Sequence, residues 1–230
     1  NAIVAEAFCE AADILEKADD FDVAVHDLIK EYMTKHQRIV FNGNGYSDEW
    51  VKEAEKRGLP NIKSMIEAAS TLTSDKAVAL FEKFGIYTEA ELKSREEIIY
   101  ETYAKSINIE ALTMIDMAGK QIIPAVVKYT KVLADSVNAV KAAGADAAVQ
   151  TDLLKQVSKK LEAMQKALVK LEKAEAKGSA MTDAKEQAFY YKDTVMTVMA
   201  ELRKPADELE MIVDKELWPL PTYGELMFEV

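Results

Sequence analysis

Apolar residues recur three and four positions apart along most of the chain, the spacing by which an α-helix turns one face to a core. From Asn1 to Ala18 the stripe is Ile3, Val4, Ala7, Phe8, Ala11, Ile14 and Leu15. Asp19 and Asp20 break it and offer an N-cap. Val25, Leu28, Ile29 and Tyr32 then mark a second helix over roughly Phe21 to His36. Ile39 to Phe41 reads as a short extended stretch, followed by Asn42-Gly43-Asn44-Gly45, the strongest turn signal in the chain. Ser47 is a good N-cap for a helix from Asp48 to Arg57 that stops at Gly58. Short helices follow near Ile62 to Ala69 and from Asp75 to Phe84, the latter ended by Gly85.

Beyond residue 87 the segments lengthen. Thr88 with Glu91 forms a capping box, and helical periodicity then runs to about Ala143, which is ~80 Å if straight. Pro124 lies inside it and should kink it. On this helix Ile109, Leu112, Ile115, Asp116, Gly119 and Ile123 make a stripe that is not purely apolar. Thr151 to Ala176 carries Leu154, Val157, Leu161, Met164, Leu168 and Leu171 as a heptad seam, ended by Gly178-Ser179. Ala184 to Leu217 carries Ala188, Tyr191, Val195, Val198, Leu202, Leu209 and Ile212, with Pro205 as a second kink. The short connectors around Gly144 and Gly178 make successive helices antiparallel.

The expected fold is therefore all-α: a small helical subdomain over residues 1–87, an elongated antiparallel three-helix bundle over 88–217, and a Pro-rich non-helical tail over 218–230. Trp218, Pro219 and Pro221 break the last helix, and the aromatic content of the tail suits docking on a surface.

Composition sharpens this picture. Gly and Pro are scarce, 8 and 5 in 230 residues, as suits a helical protein. A formal charge of −11 repels phosphate backbones and argues against nucleic acid. The most basic stretch, Lys155 to Lys173, interleaves Glu162 and Glu172 as a solvated helix face. A single Cys excludes an internal disulfide and suits a reducing, cytoplasmic setting. No apolar run approaches ~18 residues, so no helix is expected to span a membrane, and no secretory signal is visible. Asn1 stands in a helix already in progress, which points to a chain cut from a longer one.

Candidate chemistry is sparse. His26 and His36 are too far apart for metal spacing on a helix and read as surface or capping residues. Cys9 reads as a small filler beside Phe8. Glu96, Glu97, Glu101, Glu110 and Asp116 lack the Glu-x-x-His pairs of dimetal bundles and read as a solvated face. The segment Asn42, Gly43, Asn44, Gly45, Tyr46 and Ser47 is the exception. Its glycines leave backbone N–H groups open, and it feeds a capped helix N-terminus that could hold an anion or carboxylate, with Arg38 as the nearby cation. It lacks the Lys of a phosphate loop and the full dinucleotide fingerprint, and a tight turn is the favoured reading of the two. As a turn it would place Asn44 and Gly45 at positive φ, so that Gly45→Ala would cost about 1 kcal/mol or more.

Those residues also carry a resemblance. Lys35 to Asn61, with its Arg-Ile-Val-Phe-Asn-Gly-Asn-Gly-Tyr-Ser core, is similar to a segment peculiar to type III glutamine synthetases. So are Ser106 to Ala118, the ending Leu217 to Val230, and the opening Asn1 to Ala7. The resemblance implies a parent enzyme that ligates ammonia to glutamate using ATP and Mg or Mn through a γ-glutamyl phosphate, in large ring-shaped homo-oligomers. The family's metal-binding glutamates, ATP contacts and substrate-binding arginine motif lie in an upstream catalytic domain, and none of those motifs occurs here. The resemblance thus implies no catalytic residue, metal site or cofactor in this chain, which alone is expected to be inactive. It would begin at the last helix or so of that catalytic domain, so that residues 1–87 hold the domain's end and the short helices. It would continue through the family's carboxy-terminal extension as a structural, oligomer-contact or regulatory region partnered by the upstream catalytic domain; Arg38 with Asn42 to Ser47 could reach that domain or a ligand. A free-standing helical interaction module is the alternative.

Overall fold

The computed structural model describes residues 1–221 and 223–228. Eleven helices account for most of them, and no strand occurs among the described residues. Contacts divide the chain into two units, Asn1–Ile99 and Tyr100–Val230.

The first unit is a cluster of short helices: α1 (Ala2–Leu15), α2 (Phe21–His36), α3 (Asp48–Lys56), α4 (Met65–Ala69) and α5 (Asp75–Lys83), with the start of α6 (Glu89–Met117). Each has a local cause. Asp20 accepts the Asp22 and Val23 amides at 3.1 Å to start α2. Ser64 and Glu67 form a capping box for α4, so this helix starts at Met65 and not at Ile62. Thr88 and Glu91 do the same for α6: the Thr88 amide donates to Glu91 at 2.8 Å, and this bond holds the Glu91 carboxyl below its usual range. Leu28, Ala54, Ile66, Ala69 and Leu92 are the buried apolar residues of this unit. Of the expected extended stretch Ile39 to Phe41, Ile39 instead closes a 3₁₀ turn, Gln37–Ile39, and Val40 after it has extended backbone. The 3₁₀ turn continues α2, which leaves these residues no partner strand.

The second unit is built from three long helical stretches that share one core. The first is α6, a π turn at Ala118–Ile122, and α7 (Ile123–Ala142). The second is α8 (Ala148–Ser179). The third is α9 (Ala184–Tyr190), a π turn at Tyr191–Val195, and α10 (Met196–Glu210). From α8 the buried residues are Val157, Met164, Leu168 and Leu171, the heptad seam. From the third stretch they include Tyr191 and Val195 of the π turn and Val198, Leu202 and Leu209 of α10.

Along the first stretch, from α6 through the π turn into α7, the buried register differs from the stripe seen in sequence. Ala104, Ile107, Ala111, Ala118, Ile122 and Val126 turn inward, while Ile109 and Leu112 are exposed. Small residues let the helices approach closely, so alanine takes the face that size alone would give to isoleucine. The Pro124 problem is solved locally. Pro124 has no N–H for the Lys120 carbonyl, and the π turn immediately before it absorbs the mismatch.

Two helix ends also differ from expectation. α8 ends at the expected Gly178-Ser179 pair but includes both residues, closing at Ser179 instead of Ala176. The last long stretch closes at Glu210, and residues 211–217 form turns in which the Leu217 and Trp218 amides reach the Asp214 carbonyl. Trp218 is buried and Leu220 packs beside it against the core. The tail is not wholly non-helical: α11 (Tyr223–Phe228) forms once Pro221 is passed, because proline obstructs a helix only at its own position and the turn before it. Its Leu226, Met227 and Phe228 are exposed. Glu229 and Val230 lie outside the described residues.

Candidate functional site

The Gly-rich segment lies in the first unit, between the 3₁₀ turn and α3. Its organiser is a residue outside the motif. Arg57, the C-cap of α3, donates from Nη1 to the Val40 carbonyl at 2.7 Å and to the Arg38 carbonyl at 3.2 Å. Its Nε donates to Glu53 at 2.7 Å, and this bond lowers the Glu53 carboxyl below its ordinary range. The same guanidinium lies over the Trp50 ring, 5.7 Å from its centroid. One planar cation therefore clamps both arms of the segment.

An aromatic pair forms the inner wall. Phe41 and Trp50 stack at 4.4 Å with 27° between their planes. A Cβ on Gly43 would stand 2.7 Å from the Phe41 ring, so Gly43 is required by close approach. Gly45 is different: nothing lies within 4 Å of its Cβ direction. Neither Asn44 nor Gly45 adopts positive φ, which among the described residues occurs at Gly58, Gly85 and Gly144. The expected strain at Asn44 and Gly45 is absent because the reversal is made by side-chain bonds. The Tyr46 amide donates to Asn44 Oδ1 at 3.0 Å, and the Ser47 amide and hydroxyl both donate to the Asn44 carbonyl, at 3.1 and 2.8 Å. Ser47 in turn caps α3 by accepting the Trp50 amide.

The arrangement is a self-braced turn with a solvent-facing rim. Arg38 and Asn42 to Tyr46 are exposed, and Tyr46 is 100 % exposed. The structure gathers Asn44, Tyr46 and Ser47 into one bonded unit. Arg38 is not part of it; its carbonyl accepts from Arg57. The Tyr46 and Ser47 amides are taken within the turn, and Asp48 and Glu49 fill the first turn of α3, where an anion would meet like charge. Reading the sequence missed Arg57. The available signal was its spacing, four residues after Glu53 and at the helix end, where a cation is favoured.

The other sequence candidates are dispersed. His26 is exposed beside Asp27, and His36 packs edge-on against Tyr32. Glu101 pairs with Lys105 at 2.6 Å and Asp116 pairs with Lys120, while Glu96 accepts the Thr73 hydroxyl at 2.6 Å. Among the described residues no group of three or more His, Cys, Asp or Glu could hold a metal. Nor is any helix among them long and apolar enough to cross a membrane.

Comparison with known proteins adds what the geometry leaves open. Residues 24–141, just over half of the chain, match the family model described as glutamine synthetase C-terminal domain. The chain is 42 % identical over 214 residues to a glutamine synthetase of Butyrivibrio fibrisolvens, covering 92 % of this chain and 31 % of that protein. It is 33 % identical to the type-3 glutamine synthetase of Dictyostelium discoideum, covering 99 % of this chain and 32 % of that protein. A glutamine synthetase of Bacteroides fragilis is 32 % identical, with 94 % and 30 % covered. The chain thus spans about a third of the length of these relatives.

Proposed function

Because the chain belongs to the glutamine synthetase family and matches its C-terminal domain, we propose that it is the C-terminal helical region of a longer enzyme that ligates ammonia to glutamate at the expense of ATP. In this reading the ATP and the Mg or Mn ions bind in an upstream catalytic domain of the same polypeptide. No chemical step is assigned to the residues of this chain. The region serves as scaffold, subunit contact or regulator within a cytoplasmic, ring-shaped homo-oligomer.

The carrying observation is that this chain aligns almost end to end with relatives named glutamine synthetase while covering about a third of each. The braced turn supports the same reading. A segment held by Arg57, Asn44 and Ser47, with Tyr46 fully exposed at its tip, is pre-shaped for contact with another surface, and the upstream domain is the surface proposed.

The experiment is deletion. The full-length protein and a version lacking residues 100–230 are compared by light scattering and by glutamine formation. Loss of the large assembly, with activity falling as assembly is lost, supports a scaffold or subunit-contact role. An unchanged assembly with unchanged activity removes it.

A further inference from the structure

Trp218 is 9 % exposed, and its indole Nε1 is buried with no hydrogen-bond partner among the described residues. An indole N–H can only donate, and a buried one normally finds an acceptor. The local chain explains the placement of the ring. The Trp218 amide donates to the Asp214 carbonyl at 3.0 Å, and Pro219 keeps the residue before it out of the helical region. The backbone thus sets the ring in place, and its donor is left over.

Trp218 and Leu220 line a pocket of about 330 Å³ in the second unit. Met114 and Met117 of α6, Met164 of α8 and Ala206 of α10 line it as well. Thioether side chains make an adaptable apolar surface. The volume falls at the small end of the roughly 300–1,000 Å³ of ligand sites, which pair apolar walls with a few polar groups. The charged groups at this pocket lie on α10. Arg203 pairs with Asp207 at 3.2 Å, and Glu210 stands exposed one turn further on. One cation against two carboxylates leaves this edge negative, so it repels an anionic ligand.

We propose that the pocket binds a small, neutral, apolar molecule whose carbonyl or amide oxygen accepts from Trp218 Nε1. The methionines receive its apolar body, and the carboxylates of α10 turn anions away. Occupancy also ties the segment after α10 to α6 and α8, because Trp218 and Leu220 come from that segment and the methionines from the helices. The site belongs to the second unit alone and stands whether or not a catalytic domain precedes the chain.

Three probes of similar shape test it on the whole chain: cyclohexanone, cyclohexane, which lacks the oxygen, and cyclohexanecarboxylate. Indole N–H signals are read by proton–nitrogen correlation spectra, and Trp50→Phe identifies that of Trp218, since the chain has two tryptophans. Cyclohexanone should move the Trp218 indole proton downfield in a saturable way, and cyclohexane should not. The carboxylate should bind at least about tenfold more weakly than cyclohexanone. Trp218→Phe keeps a ring and removes the donor, so it should cost cyclohexanone at least about fivefold more affinity than cyclohexane, read at the methionine methyls. Ala206→Leu fills the pocket from its helix and should remove binding of both. Absence of a saturable Trp218 shift overturns the proposal, and the native sequence gives that result whether or not either variant folds. So does a shift that persists in folded Ala206→Leu, or an equal loss for both probes in folded Trp218→Phe. An indole proton held by an ordered water that cyclohexanone does not displace overturns it too.

Discussion

Tyr191 packs so closely against Gly178 that a Cβ at Gly178 would stand 3.0 Å from Tyr191 Cζ and 3.2 Å from its hydroxyl oxygen. Both residues are buried, the tyrosine 1 % exposed. The contact joins the last turn of α8 to the π turn at Tyr191–Val195. Gln187 closes the same corner by donating to the Gly178 carbonyl at 3.0 Å.

Gly178→Ala therefore sets two effects against each other. Alanine favours the helix by about 1 kcal/mol, while overpacking against a ring that is itself buried costs about 1–3 kcal/mol. The expected net is a destabilisation of about 1 kcal/mol by chemical denaturation. In a Tyr191→Leu background the clash is gone, and the same substitution should become neutral or stabilising. Additive effects of the two changes would contradict the contact.

The two glycines of the braced turn should behave oppositely. Gly45→Ala, with open space and no positive φ, should change stability by less than about 0.5 kcal/mol. Gly43→Ala must push Phe41 off Trp50 and should cost about 1 kcal/mol or more. Near-UV circular dichroism of the Trp50 environment should change for Gly43→Ala alone.

That contrast also shows how far the sequence could be read. Helix starts were legible at Asp20, Ser47 and Thr88, because the cap and its target lie within three residues, although the equally local Ser64–Glu67 box was missed. The heptad seam of α8 was legible because its period is long and regular. The end of α8 at Gly178-Ser179 was legible to within a residue, whereas the close packing of Tyr191 on Gly178, thirteen residues on, was invisible to local pattern. The inward alanines of α6 were missed for a related reason: apolarity marks a stripe, but close helix approach selects for size. In the candidate site the turn was visible, while its clamp, Arg57, acts across seventeen residues on Val40.

Arg57→Lys should not restore what Arg57→Ala removes. A lysine cannot hold Val40, Arg38 and Glu53 together, so both variants should speed amide exchange over residues 38–47 while leaving the second unit protected. Rescue by lysine would show that charge alone holds the turn.

Acid should weaken the first unit through Glu53 and Glu91. Hydrogen bonds from Arg57 and Thr88, respectively, depress their carboxyl pKa values. A depressed folded pKa gives stability that is present above the unfolded value and lost as pH falls through the folded one. The loss should thus begin near pH 4 and continue below it. Melting temperature between pH 7 and pH 3 should fall less steeply in Glu53→Gln than in the native sequence.

The central claim is that this chain is the helical C-terminal region of a glutamine synthetase whose chemistry resides upstream. The most direct measurement is glutamine formation from glutamate, ammonia and ATP, by the purified chain and the full-length protein side by side with Mg or Mn. The predicted result is background turnover for the chain and ATP-dependent synthesis for the full-length protein. Turnover by the chain alone, or none by an intact full-length protein, would contradict it.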